Sequence, residues 1–253
     1  MADVQGTPAL PAVERETAPG DERPELPGRA ALYGLGGFLA GVAAGLVLAI
    51  TARILDLPDI AVLLLNLAGL WTGLLGACWL ASRRYGSGSL VRDYGLRVDG
   101  TDVKRGLAMS LAARLAGIVV VIPFVLIDTR LVGGNSDVFG DVTYSPASFA
   151  IFATVVVLGT PVVEELFFRG LLLRSLTSVM GATPALLTQA GLFGLAHVSP
   201  ILGLANFSVV AVIGAAGVIF GITARRRRVG TSVVAHGAFN LLSVVILGFT
   251  TFG

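Results

Sequence analysis

Seven stretches of this chain are apolar over lengths close to the roughly 20 residues that a helical bilayer crossing needs, and this limits the fold more than any other feature. They lie near 31–51, 59–81, 106–127, 147–172, 184–198, 204–224 and 231–250. Backbone polar groups in hydrocarbon must be satisfied within the protein, so such stretches fold as helices. The expected fold class is therefore all-α, a polytopic transmembrane bundle of about seven spans, with six or eight as the other counts because the fifth stretch is short enough to stop partway. Composition agrees: 55% of the 253 residues are hydrophobic, 13% are charged, and mean hydropathy is +0.84. A soluble domain carries nearer about 25% charged residues.

Charge placement orients the bundle. Residues 1–29 hold six acidic and three basic residues among five prolines and cannot bury enough apolar surface to offset ordering, so they read as a disordered cytoplasmic tail. The membrane domain is then 30–253. The loop after the second stretch carries Arg83, Arg84, Arg92, Arg97, Lys104 and Arg105, and Arg225–Arg228 follow the sixth. The 128–146 loop is acidic, with Asp128, Asp137 and Asp141. Under the positive-inside rule this gives an integral protein of the cell membrane with a cytoplasmic N-terminus. The arginine run reads as an anchor at the bilayer surface, so no nucleic-acid partner is expected. Gly37, Gly41 and Gly45 recur at four-residue spacing on the first stretch, which allows close helix packing. Cys78, the single cysteine, lies in an apolar run and reads as a small buried hydrophobe.

Against this apolar background the polar residues stand out. Glu164 and Glu165 are adjacent inside the fourth stretch, and a charge at membrane depth costs about 2.5–3.5 kcal/mol on insertion scales. Glu165 and Arg169 are four apart and can pair on one helix face, whereas Glu164 lies about 100° round the helix and points elsewhere. The two histidines, His197 and His236, also fall in apolar stretches. Asn240 follows His236 by one turn and shares its face, and Phe193 precedes His197 by one turn and packs beside it. Arg114 marks its helix as turned toward a polar interior, and Asn206 reads as an interfacial loop residue. Topology lets Glu164 and His236 meet, but brings His197 to them only if the fifth segment is short, re-entrant or sunk.

A carboxylate beside two imidazoles permits hydrolysis. The carboxylate can act as general base toward water. The imidazoles can bind a divalent metal such as Zn²⁺, with Glu164, His197 and His236 as its ligands, or can stabilise an oxyanion directly. Asn240 can donate to the same oxyanion. No serine or cysteine arrangement of comparable quality occurs, and the HExxH pattern is absent.

Glu164-Glu165-Leu-Phe-Phe-Arg169, Phe193-Gly-Leu-Ala-His197 and His236-Gly-Ala-Phe-Asn240, in that order on successive helices, resemble the CPBP family of intramembrane proteases, which includes CAAX prenyl endopeptidases and bacteriocin-processing relatives. The resemblance covers roughly 147–250, and Gly217-Val-Ile-Phe-Gly221 looks like that family's sixth helix. It implies an endopeptidase acting on a membrane-associated protein or peptide, prenylated or leader-bearing, in a cavity open to the cytoplasm and inner leaflet. Glu164 would activate water with help from His197, His236 and Asn240 would form the oxyanion side, and Glu165, Arg169 and Phe193 would support them. The resemblance leaves a bound metal and a glutamate-activated water as alternatives. Two other readings stand beside it: a non-catalytic membrane scaffold or immunity protein, and a proton-coupled transporter.

Overall fold

The computed structural model describes residues 24–134 and 145–252. Helices α1 (Ala30–Ile54), α2 (Asp59–Tyr85), α3 (Leu90–Tyr94), α4 (Gly100–Ile127), α5 (Pro146–Met180), α6 (Ala182–Leu195), α7 (Asn206–Arg226) and α8 (Val229–Phe252) make an all-helical bundle, with no strand among the described residues. Six of them (α1, α2, α4, α5, α7 with its lead-in, and α8) are long and apolar enough to cross a membrane. Rows such as Leu107, Leu111, Leu115 and Ile118 on α4 stay exposed on the outside, where lipid rather than water accommodates them. The protein is an integral membrane protein.

The fifth apolar stretch is the one that falls short. It forms α6, whose 14 residues rise about 21 Å, less than the roughly 30 Å hydrocarbon core. The chain then turns through Pro200–Ala205 before α7 begins. Asn206, expected as a simple interfacial residue, closes this turn: its amide donates to the carbonyls of Ser199 (2.8 Å) and Gly203 (3.0 Å), and its Oδ1 accepts from Ser199 N–H (2.9 Å).

Glycine spacing on α1 serves packing against α2. A Cβ on Gly41 would lie 2.6 Å from the Leu70 carbonyl oxygen, and one on Gly45 would lie 2.6 Å from that of Asn66. On the facing side, a Cβ on Gly73 would overlap Gly37 O and Gly41 Cα. Gly73→Ala must therefore push the helices apart, at about 1–3 kcal/mol, the usual cost of overpacking. Gly76→Ala, where nothing lies within 4 Å, should be neutral. Thermal unfolding of the two variants in detergent reads the difference.

Helix α5 is the centre of the bundle, touching α1, α2, α3, α6, α7 and α8. It departs from regular α geometry twice, widening into π-helical turns at Val155–Gly159 and Glu165–Leu172. All eight residues of the second turn are buried. Such bulges often lie at functional sites.

The connections at the basic end are tied by buried aspartates. Asp93 accepts from the hydroxyls of Ser82 and Ser87 and from the N–H groups of Ser87 and Gly88. Its burial would raise its pKa, but these hydrogen bonds outweigh that and hold it below the usual carboxylate range. Asp102 accepts from Thr231 and pairs with Arg228, fastening the start of α4 to the start of α8. Of the segment read as a tail, residues 1–23 lie outside the described residues. Residues 24–29 lie against the bundle, with Leu26 buried and the Pro24 carbonyl accepting from Arg174.

Candidate active site

The second π-turn carries Glu165 and Arg169, and both side chains are fully enclosed. Arg169 Nη1 donates to Glu165 Oε1 at 2.8 Å, the pairing that the four-residue spacing anticipates, and Nη2 donates to the Gly217 carbonyl at 3.3 Å. The guanidinium also lies over the Phe193 ring, 4.2 Å from its centroid. Desolvating two ions is costly unless their remaining hydrogen-bonding capacity is used; both Glu165 oxygens are bonded, while Arg169 Nε is buried without a hydrogen-bond partner.

Glu165 does more than neutralise Arg169. His236 Nδ1 lies 2.9 Å from Glu165 Oε1, and Ser232 Oγ donates to Oε2 at 2.6 Å. A carboxylate flanked by Arg169 accepts rather than donates, so His236 carries a proton on Nδ1 and its ring is fixed. Nε2 is then the nitrogen facing Glu164, 3.8 Å from Oε2. That gap exceeds a hydrogen bond, so the two atoms face each other without bonding directly. Glu164 Oε2 is itself buried and has no hydrogen-bond partner. Glu164 and Glu165, neighbours in sequence, thus meet His236 through different nitrogens.

Aromatic rings fix the rest. Phe220 stacks on His236 with centroids 5.0 Å apart and planes at 19°. Phe193, only 2% exposed, stands edge-on to both imidazoles, 4.9 Å from His197 and 5.8 Å from His236. His197 comes just after α6 ends, and its Nδ1 donates to the Phe193 carbonyl at 2.8 Å, leaving Nε2 available. The shortness of α6 is what lets His197 approach the others. Its link to them runs through Phe193, with no ion pair to Glu164 among the described residues.

Asn240 Nδ2 donates to the Val156 carbonyl in the first π-turn at 2.9 Å. Gly237 permits this approach, since a Cβ there would lie 3.0 Å from Val157 O. One of the two amide hydrogens of Asn240 is therefore committed and the other remains to donate. Arg114 lies against the same helix, bonded to Phe239 O and Ser243 Oγ.

Three members of this site were not singled out from the sequence. Ser232 had a readable signal, being four residues before His236 and eight before Asn240 on one helical face. Phe220 had a weaker one, a bulky ring between glycines at 217 and 221. Val156 had none, because its part depends on a π-turn. As for zinc, no three His, Cys, Asp or Glu side chains among the described residues gather into a group able to hold a metal ion. Glu164 and His236 are close, but His197 does not complete a ligand set with them, so the residues as arranged do not fit Zn²⁺.

Residues 146–242 match the family model described as type II CAAX prenyl endopeptidase, Rce1-like. No curated protein and no solved structure matches the chain.

Proposed function

From the Rce1-like CAAX protease domain that this chain carries over residues 146–242, we propose an intramembrane endopeptidase in which Glu164 activates the attacking water. One observation supports this reading above the rest: a buried carboxylate oxygen without a partner, 3.8 Å from an imidazole whose other nitrogen is already held. Glu164 takes a proton from water held between it and His236 Nε2, and the oxygen attacks the scissile carbonyl carbon. The tetrahedral oxyanion is met by the uncommitted Asn240 N–H and by His236 once a proton also occupies its Nε2, with His197 Nε2 assisting at the water. Glu164 then returns the proton to the leaving nitrogen as the C–N bond breaks, giving a carboxylic acid and an amine, between which the second water proton passes to leave carboxylate and ammonium. Glu165, Arg169, Ser232, Phe193 and Phe220 hold these groups in place.

The substrate is a membrane-associated protein or peptide, prenylated or leader-bearing, that enters from the cytoplasmic side. The N-terminus is proposed to lie in the cytoplasm, a placement the basic loops support. The test compares terminal peptides in membranes from cells holding the wild-type protein or Glu164→Gln. New termini present only with the wild type are expected. Identical peptide pools, with both proteins inserted, would favour a non-catalytic scaffold.

A further inference from the structure

Tyr94 lies outside the residues matched by the family model, yet it touches the turn on which the active site is built. It ends α3, a five-residue helix in the basic connection between α2 and α4, and it is wholly buried. Its hydroxyl donates to the Cys78 carbonyl at 2.8 Å, which anchors the ring to α2. The ring is pressed against Gly170, where a Cβ would lie 2.8 Å from Tyr94 Cδ1 and 3.1 Å from Cγ. Gly170 belongs to the second π-turn, next to Arg169 and five residues after Glu165, the spacing of one π-type hydrogen bond. A glycine here lets the ring meet the backbone of the turn itself.

The chain leaving Tyr94 reaches the other helix of the site. Gly95 takes the left-handed conformation (φ 69°), and its carbonyl accepts the Gly230 N–H of α8 at 3.2 Å. A Cβ on Gly230 would overlap the Arg97 carbonyl. Ser232 and His236 follow Gly230 by two and six residues. One short segment, 94–97, therefore sits against α5 beside Glu165 and against α8 ahead of His236, the two helices that the Glu165–His236 bond joins. Filling space would need only bulk at Tyr94. A ring anchored to α2 and set directly on a widened turn also fixes where that turn lies, because close-packed interiors transmit displacement. We propose that Tyr94 is a positioning residue of the active site, holding the π-turn of α5 at the distance from α8 at which Glu165 Oε1 keeps His236 Nδ1. Its effect on cleavage rests on the peptidase reading above, whereas its effect on the His236 ring does not.

The test uses the full-length protein in detergent with ¹⁵N-labelled histidine. The chain has two imidazoles, and the signals lost in His197→Gln leave those of His236 assigned. The wild type should show a proton held on His236 Nδ1. Gly170→Ala drives a methyl into the ring, and Tyr94→Leu removes most of the ring. Each should mix the tautomers of His236 and lower kcat toward a fluorescent S-farnesylated octapeptide by about 10- to 100-fold with KM unchanged, the scale of a misplacement near about 1 Å. Tyr94→Phe keeps the ring and should keep the wild-type spectrum and most of the activity. An unchanged His236 spectrum in Gly170→Ala or in Tyr94→Leu overturns the proposal, even where thermal unfolding shows lost stability. If one of these variants does not fold, the other decides, and loss of the fold in both makes Tyr94 a structural residue and overturns it. If the wild type does not cleave the peptide, the peptidase reading fails for this substrate class, and the His236 spectrum still decides the proposal.

Discussion

Arg169→Met should cost about 3–5 kcal/mol of stability, the range for removing one partner of a buried pair, and with it the active site. The Arg169 side chain is fully enclosed, and its loss strands the equally enclosed Glu165 without its counter-charge. The damage extends beyond the pair because Glu165 also holds Ser232 and His236. Adding Glu165→Gln removes the stranded charge while keeping groups that can still bond to Ser232 and His236. The double variant should therefore recover most of the lost stability, as buried ion pairs replaced by neutral groups often do. It should not recover activity, because a neutral amide no longer supports a proton placed firmly on His236 Nδ1. Thermal unfolding in detergent, read beside peptide cleavage, checks both halves. A double variant as unstable as Arg169→Met alone would mean that the guanidinium works mainly through Phe193 and the Gly217 carbonyl, its other contacts.

These residues also show where the sequence stops being readable. The Glu165–Arg169 pair follows from four-residue spacing, and the shared face of His236 and Asn240 follows in the same way. Such periodicities act within one helix and need no knowledge of its neighbours. The Glu165–His236 bond joins residues 71 positions apart, and nothing local says that the second glutamate rather than the first takes Nδ1. The number of spans is open in the sequence for a related reason: apolar length marks α6 as a candidate crossing, while its stop at Leu195 depends on the Ser199–Asn206 turn that follows. The π-turns were out of reach. They bring Val156 O to Asn240 and carry Glu165 toward His236, yet no residue type in α5 announces them. Residues 24–29 were grouped with the tail on composition, and Leu26 packs into the core because the bundle offers it a place.

Glu164→Gln should do the opposite of Arg169→Met, removing activity and leaving the fold. General-base catalysis contributes about 10²–10⁴-fold, so cleavage should fall by that factor. No hydrogen bond depends on the charge of Glu164 Oε2, and its contact with His236 is long, at 3.8 Å. A buried carboxylate without a hydrogen bond carries a desolvation cost that a carboxamide avoids in part, so the melting temperature should hold or rise. Residues retained at the expense of stability are characteristic of working sites, since activity often requires an arrangement the fold alone would not choose. Glu164→Asp sharpens the test, because it keeps the charge and withdraws it by one methylene from the position facing His236. If base chemistry at that position matters, Asp should be nearly as inactive as Gln while lacking its gain in stability. Full cleavage by either variant would take the base away from Glu164, and a fall in melting temperature as large as that of Arg169→Met would make Glu164 a structural residue.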